Sequence, residues 1–152
     1  MDAIKNVGAG AVDEIIRARQ DLGKFETIED FISSVNTRTV NRKALESLAK
    51  AGAFDCFGDR STLLHNLDTI LAYGQRLAKE RASGQTDLIG NLIEGTTTKP
   101  TLKLEIPATK YNPHEMLIWE RELLGLYLSH HPLEAYSALL SEQTVALNTL
   151  KP

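Results

Sequence analysis

The feature that most constrains this chain is the turn Asn6-Val7-Gly8, which lies between a short apolar start and an amphipathic run. In that run Val12, Ile15 and Ile16 recur at helical spacing. Asn and Gly adopt positive φ more readily than other residues, so this turn can join two helices as a hairpin. The first amides of the second helix then lack partners within the helix, and they form a site for an anion such as phosphate.

This pattern is typical of a helix-hairpin-helix DNA-binding motif, whose usual turn is Gly-apolar-Gly. Two registers are possible, Asn6-Val7-Gly8 and Gly8-Ala9-Gly10. The first places Val12 and Ile16 four and eight residues past the last glycine, whereas the second places Glu14 at the first of these apolar positions. We therefore take the first register, in which Asn6 replaces the first glycine. The alternative is a helix-turn-helix corner that packs in a core and binds no ligand.

The charge of the chain decides how such a motif could hold DNA. The 152 residues carry a formal net charge of -3, so DNA binding cannot come from a general basic surface and must be local. The single Cys56 excludes an internal disulfide, and we predict that it packs in the fold. Because no apolar run approaches the length of a membrane span and no signal-peptide pattern is present, we expect a cytoplasmic protein with no membrane partner.

Helix-start signals follow the first hairpin. Thr27 can cap a helix with Asp30 answering it three residues later, and Asn41 can cap the next helix. Ser61 is predicted to begin a long helix, because leucine and isoleucine recur at three-and-four spacing after it.

A second hairpin is predicted at Ala51-Gly52-Ala53-Phe54-Asp55. It is degenerate, because Phe54 stands where a second glycine would be, and we predict that Phe54 and Phe57 fill the core. With this hairpin the two halves look like a duplicated helix, hairpin and helix. The sequence therefore predicts an all-α domain over residues 1–82.

The composition changes at Ser83-Gly84, after which glycines, threonines and prolines interrupt the helical period and predict a linker over residues 83–111. Residues 101–106 alternate like a strand, but a lone strand needs a partner. Asn112-Pro113 and Glu115 predict the start of a helix. The predicted fold class is thus all-α, a tandem helix-hairpin-helix domain followed by an extended linker and a small helical segment.

The linker contains Gln85-Thr86-Asp87-Leu88-Ile89, a glutamine followed by two apolar residues. Such a peptide suits docking on a partner, because the apolar side chains can fill a pocket while the amide fixes the register. The alternative is that Leu88 and Ile89 fold back onto the helical domain.

No segment places catalytic groups together. The acidic residues occupy capping and surface positions, and no motif pairs them as general acid and base. The adjacent His130-His131 point apart and have no third ligand at useful spacing, so we predict a turn there. We expect no catalytic residue, metal ligand or cofactor in this chain.

Taken in order, these segments resemble the C-terminal part of the alpha subunit of bacterial DNA polymerase III, the replicative polymerase. The segments that carry the resemblance are Ala3-Ile4-Lys5-Asn6-Val7-Gly8, Val40-Asn41-Arg42-Lys43-Ala44-Leu45-Glu46-Ser47-Leu48, Ala51-Gly52-Ala53-Phe54-Asp55, Gly84-Gln85-Thr86-Asp87-Leu88-Ile89, Trp119-Glu120-Arg121-Glu122-Leu123-Leu124-Gly125-Leu126-Tyr127-Leu128-Ser129 and His131-Pro132-Leu133. They cover nearly the whole chain in the order of the family.

The resemblance implies a tandem helix-hairpin-helix domain over residues 1–82 and a linker with a sliding-clamp motif over 83–111. It also implies that residues 112–152 lead into an oligonucleotide-binding barrel that this sequence does not contain. The acids that hold the catalytic metals of the parent polymerase, expected to be Mg²⁺, are not in this sequence either. Because the chain starts almost inside a motif at Ala3, we expect it to be part of a longer protein.

Three positions depart from the family. Asn6 replaces a hairpin glycine, Ile89 replaces the phenylalanine that the clamp motif prefers, and His130 stands where the family tends to have glycine.

The expected function is non-catalytic support of processive DNA synthesis, through sequence-independent binding of duplex DNA and a tether to the sliding clamp. The predicted DNA-binding residues are Lys5, Asn6, Val7, Gly8, Ala9, Gly10, Arg42, Lys43 and Lys50. The predicted clamp-binding residues are Gln85, Asp87, Leu88 and Ile89. Other replisome subunits are further expected partners. The alternatives are a structural module that positions polymerase domains without touching DNA and, more distantly, an accessory domain of a repair nuclease.

Overall fold

The structure is a computed structural model that describes residues 4–82 and 102–130, together with Leu133 and Tyr136. Within these residues it contains helices and no strand, which confirms the all-α fold class. The helices are α1 (Ala9–Leu22), α2 (Ile28–Ser34), α3 (Arg42–Lys50), α4 (Arg60–His65), α5 (Leu67–Ala82) and α6 (Pro113–Leu124). The predicted clamp peptide lies outside the described residues.

The predicted starts of α2 and α3 are confirmed. At α2 the Asp30 amide donates to Thr27 Oγ1 at 3.1 Å, and the Thr27 amide donates to Asp30 Oδ2 at 3.0 Å. At α3 the Asn41 side chain accepts a hydrogen bond from the Ala44 amide at 3.0 Å. Each cap satisfies an amide that has no partner within its helix.

The predicted start of α6 is also confirmed. Asn112 Oδ1 accepts from the His114 amide at 3.0 Å, and the Asn112 amide donates to Glu115 Oε2 at 2.9 Å. Pro113 occupies the first turn, where its missing N–H costs nothing. Gly125 ends the helix in the left-handed conformation, with φ 76°.

The long helix predicted to begin at Ser61 is wrong in two respects. Asp59 provides the cap, since its Oδ1 accepts from the amides of Ser61 and Thr62 at 2.9 and 3.3 Å. The helical run then breaks at Asn66, between α4 and α5. There the Asn66 side-chain amide donates to the carbonyls of Thr62 at 2.8 Å and Glu105 at 2.7 Å, so a long-range contact accompanies the break.

Four phenylalanines pack in contact with one another, of which Phe31 and Phe54 are buried in the core and Phe25 and Phe57 are partly buried against it. Phe31 of α2 makes edge-to-face contacts with Phe25 at 5.4 Å and with Phe54 at 4.9 Å between ring centroids. Phe54 in turn stacks on Phe57 at 5.9 Å, which confirms that the second hairpin contributes these rings to the core. The prediction that Cys56 packs in the fold is wrong, because that side chain is exposed.

The extended residues before α6 lie on the helical domain without forming a strand. Leu102 is buried in the core, and its amide donates to Glu29 Oε1 at 2.8 Å. Glu105 exchanges two hydrogen bonds with the Asn66 side chain, at 2.7 and 2.9 Å. Hydrogen bonds with the side chains of Glu29 and Asn66 therefore take the place of a partner strand for residues 102–106. The predicted division into residues 1–82, 83–111 and 112–152 stays a prediction.

Candidate nucleic-acid interface

The first hairpin has the backbone of a tight turn. Asn6 has φ 69°, and it is the one non-glycine residue with positive φ in the described part of the chain. Its side-chain amide donates to Ser47 Oγ of α3 at 3.3 Å. The Val7 amide donates to the Ile4 carbonyl at 3.1 Å, which closes the turn. Asn6 thus adopts the conformation for which the motif normally uses its first glycine.

Three consecutive amides are available at the start of α1. Gly8 caps the helix with an extended backbone and without a side-chain acceptor, and its carbonyl accepts from the amides of Ala11 and Val12 at 2.9 and 3.2 Å. The amides of Gly8, Ala9 and Gly10 have no acceptor among residues 4–82 and 102–130. All three residues are exposed. Together with the positive end of the helix dipole, these amides favour an anion.

Two predicted contacts at the hairpin change role in the structure. The Val7 amide is already bonded to Ile4 and the Val7 side chain is buried, so this residue holds the turn and its amide is not free for phosphate. The Lys5 amide donates to the Leu123 carbonyl at 3.0 Å and ties the hairpin to α6. The Lys5 side chain is on the exposed part of the turn.

A ligand can reach these amides freely. A Cβ atom at Gly8 would meet no atom within 4 Å, so packing does not require a glycine there. A Cβ atom at Gly10 would lie 3.7 Å from Thr39 Cγ2, an ordinary contact. The space in front of the first turn of α1 is therefore open.

The three basic residues predicted on α3 differ in their partners. Arg42 pairs with Asp68 through Nε–Oδ1 at 2.7 Å, and this carboxylate raises the pKa of Arg42. Lys50 Nζ lies 2.6 Å from Glu46 Oε1. Lys43 is exposed and has no ion pair among the residues that the structure describes. Two of the three charges are thus balanced within the fold, and only Lys43 is free to meet a phosphate without losing a partner.

A cleft of about 240 Å³ brings the hairpin and α3 together beside α6. Asn6, Lys43 and Lys50 line it, and so do Trp119 and Glu122 of α6. Lys50 Nζ also lies 5.4 Å from the centroid of the Trp119 ring. The structure therefore groups Asn6 with two of the predicted basic residues, but it places carboxylates among them.

The second hairpin carries an ionic cluster that the sequence reasoning missed. Arg60, which is 6% exposed, donates through Nε and Nη2 to the two carboxylate oxygens of Asp55, each at 2.7 Å. Its Nη1 donates to Glu120 Oε1 of α6 at 2.9 Å, and its Nη2 also donates to Ser129 Oγ at 2.9 Å. One guanidinium thereby joins the second hairpin to α6 and to the residues that follow it.

Glu120 is fully buried and remains charged. Burial raises the pKa of this carboxyl, but hydrogen bonds from the Ser129 hydroxyl, from the amides of Ser129 and Leu128 and from Arg60 outweigh it and hold the pKa at about 2. The sequence did carry a signal. Glu120 lies on the same helical face as Leu117 and Leu124, and a carboxylate on an apolar face indicates a buried partner.

Metal clusters and membrane-spanning helices are both absent from the described residues. They contain no group of three or more His, Cys, Asp or Glu side chains that could hold a metal ion. Within the same residues no helix has the length and apolar character needed to cross a membrane.

Comparison with known proteins decides the family. A family model described as a helix-hairpin-helix motif matches residues 1–63, which include both hairpins. The chain is 37% identical over 149 residues to the DNA polymerase III subunit alpha of Mycobacterium tuberculosis, an alignment that covers 94% of this chain and 12% of that protein. It is 38% identical over 139 residues to the same subunit of Campylobacter jejuni, covering 90% of this chain and 11% of that protein. The subunit of Thermus aquaticus is also 38% identical over 139 residues, which cover 91% of this chain and 11% of that protein.

The chain belongs to the DNA polymerase III alpha-subunit family. It spans 11–12% of the length of these relatives, or about one ninth. The alignments extend beyond the family-model match at residue 63 and cover most of the chain. Within this family segment, the free amides at α1 are the described feature best suited to DNA, and the Arg60 cluster fixes the second hairpin to α6.

Proposed function

We propose that this segment of a replicative polymerase binds duplex DNA without sequence preference, through the first turn of α1. The observation that carries the proposal is a set of three exposed amides at Gly8, Ala9 and Gly10, which have no acceptor in the described part of the chain and lie within a helix-hairpin-helix match. Backbone amides contact phosphate oxygens and read no base, which suits a protein that must move along any sequence. Lys5 and Lys43 add exposed positive charge near Asn6, because Lys5 precedes it in the chain and Lys43 lines the same cleft.

Fluorescence anisotropy tests this binding, with a labelled primer–template duplex titrated with the chain at several salt concentrations. With about two to four phosphates contacted, the logarithm of the binding constant should fall with the logarithm of salt concentration with a slope of about -2 to -4. Gly8→Val should weaken binding at low salt, because its side chain would occupy the space that phosphate needs. Since a Cβ at Gly8 meets no atom within 4 Å, the variant should keep its helices by circular dichroism.

Ala53→Val is the matched control for added bulk. Ala53 is exposed at the second hairpin, and its amide already donates to the Leu48 carbonyl at 2.9 Å. This variant should therefore bind like the wild type. Equal binding by wild type and Gly8→Val would reject the hairpin grip.

A second contact is proposed at the sliding clamp, through Gln85, Asp87, Leu88 and Ile89. Support comes from the family resemblance of Gly84-Gln85-Thr86-Asp87-Leu88-Ile89, and these residues lie outside the described part of the structure. A clamp tether would raise the effective concentration of DNA near a weak hairpin, so the two contacts would reinforce each other. The complete polymerase would act in the cytoplasm with other replisome subunits, and acids elsewhere in it would hold the catalytic Mg²⁺.

Surface plasmon resonance with immobilised sliding clamp tests the tether. Leu88→Ala should abolish binding, because it removes an apolar anchor. Leu92→Ala is the matched control, a leucine of the same linker outside the peptide. If the wild type, Leu88→Ala and Leu92→Ala bind the clamp with the same affinity, the peptide is not the clamp-binding segment.

The structural alternative is supported by the contacts that tie the hairpin to its neighbours. Asn6 bonds to Ser47 of α3 and Lys5 bonds to Leu123 of α6, as expected for a corner that positions domains. No binding of duplex at low salt, with intact helices, would favour this scaffold role over a DNA grip.

A further inference from the structure

A basic cleft lies between α1, the turn that precedes α3 and the end of α5. Its volume is about 890 Å³. Its lining residues are Glu14, Arg17, Asn36, Thr37, Arg38, Gln75, Ala78, Lys79, Arg81 and Ala82. Four cations against one carboxylate give this α1–α5 cleft a formal charge of +3, although the chain as a whole carries -3.

Two of the four cations are engaged within the fold. Arg17 pairs with Glu14 at 2.7 Å and with Asp21 at 3.0 Å. Arg81 Nη1 donates at 2.7 Å to the carbonyl of Ser33, near the end of α2. These two charges have structural roles.

The other two cations, Arg38 and Lys79, have no ion pair within residues 4–82 and 102–130. Both residues are exposed. Lys79 belongs to the last turn of α5, where a cation also favours the helix dipole, but Arg38 lies in a turn and has no such role. The cleft therefore presents two uncompensated charges that face solvent.

Hydrogen bonds fix the turn that carries Arg38. The Asn36 amide donates to Glu14 Oε1 of α1 at 2.7 Å, and the Arg38 amide donates to Asn36 Oδ1 at 3.0 Å. The next residue, Thr39, lies against the start of α1, since its Cγ2 is 3.7 Å from a Cβ built at Gly10. Arg38 is thus held close to the free amides of the first hairpin.

The α1–α5 cleft continues along α1 from the free amides. Gly10 and the cleft residue Arg17 are seven residues apart, a rise of about 10 Å in a helix. Each strand of a duplex carries one phosphate per roughly 3.4 Å of axis, so a duplex whose axis runs along α1 would place about three phosphates of one strand over this distance. We propose that the strand held at Gly8, Ala9 and Gly10 continues along the α1–α5 cleft, where Arg38 and Lys79 contact its phosphates. This inference rests on the proposed binding of duplex DNA.

The test compares two charge-matched double variants in the duplex anisotropy titration, with the whole 152-residue chain. Arg38→Gln with Lys79→Gln removes the two free charges of the cleft. Arg19→Gln with Lys24→Gln removes two exposed charges at a separate cleft, which is lined by Phe25 and Phe57. The first double variant should reduce the salt slope by about 2 and the second should leave it unchanged, with the same circular dichroism in both.

Each outcome bears on a different part of the account. If the salt slope is unchanged in Arg38→Gln with Lys79→Gln while Gly8→Val loses binding, DNA does not contact the cleft. The proposed binding at the first hairpin would then stand alone. An equal reduction of the salt slope in the two double variants would also reject contact with the cleft. Total charge, rather than the position of the charges, would then determine binding. A reduced slope in the first double variant with normal binding by Gly8→Val would overturn the proposed path, because the cleft would then bind DNA without the hairpin. Absence of wild-type binding at low salt would reject both.

Discussion

Arg60 shows how one side chain can close a degenerate hairpin to a ligand. In the first hairpin the amides face open space, whereas in the second the guanidinium of Arg60 occupies the turn. It lies against Gly52, which has φ 80°, and a Cβ built there would be within 2.9 Å of both Arg60 and Asp55. The second hairpin is therefore closed by its own ion pairs, and the first is the one left open for a ligand.

Arg60→Met should destabilise the fold strongly. It would leave the buried Glu120 carboxylate without its cation, which typically costs about 3–5 kcal/mol. Urea unfolding followed by circular dichroism measures the change. Arg17→Met is the control, since the Arg17 side chain is exposed and the loss of its ion pairs with Glu14 and Asp21 should destabilise the fold much less. Similar losses in the two variants would show that the buried cluster contributes no more than a surface pair.

The same cluster predicts a pH dependence. The pKa of Glu120 is about 2 in the folded chain against an ordinary value of 4.5, so the folded state binds the proton less tightly than the unfolded state. The resulting stability, on the order of 3 kcal/mol, is complete above pH 4.5 and is lost as the pH falls toward 2. Urea midpoints of wild type and Glu120→Gln should converge over that interval. If the difference between the urea midpoints of wild type and Glu120→Gln stays constant from pH 6 to 2.5, the pH dependence of stability does not come from Glu120.

At the scale of helices, contacts within one turn could be predicted from the sequence and distant contacts could not. The boxes of Thr27 with Asp30 and of Asn112 with Glu115 span three residues each, and both form as predicted. The break between α4 and α5 accompanies hydrogen bonds between Asn66 and Glu105, which are 39 residues apart. No local pattern indicates such a pair, so the sequence predicted one long helix there.

The candidate site divides in the same way. The turn at Asn6 and the open amides after it follow from local residue types, and the sequence located them. The pairing of Arg42 with Asp68, 26 residues away, depends on how α3 packs against α5. The sequence could name Arg42 as a cation, but only the fold shows that its charge is balanced.

Close packing of α5 on α2 predicts the effect of a small substitution. A Cβ at Gly74 would lie 2.8 Å from side-chain atoms of both Ile32 and Thr37, and 3.1 Å from the Ile32 carbonyl. Gly74→Ala should therefore destabilise the fold by about 1–3 kcal/mol. This loss should appear although alanine favours a helix by about 1 kcal/mol.

Thermal unfolding measures this effect against Gly10→Ala. At Gly10 the added carbon makes only a 3.7 Å contact with Thr39, so that variant should be as stable as the wild type or slightly more stable. If Gly74→Ala is as stable as Gly10→Ala, α2 and α5 do not approach each other closely.

For the whole molecule, an acidic chain must concentrate its attraction for DNA in a small area. The net charge is -3, and most arginines in the described helices are paired with carboxylates, among them Arg17, Arg42 and Arg60. The unpaired amides of α1 and the cations Lys5, Lys43, Arg38 and Lys79 then lie on a background of negative charge. Binding by this chain alone should accordingly be weak and sensitive to salt.

The central claim is that the amides at the start of α1 bind DNA phosphate, and an NMR titration tests it most directly. Duplex DNA would be added at low salt to the ¹⁵N-labelled chain while the backbone amide signals are followed. We predict that Gly8, Ala9 and Gly10 shift and become protected from hydrogen exchange. Val7, whose amide already bonds to Ile4, should change much less. Shifts confined to other surfaces, with these three amides unchanged, would contradict the account.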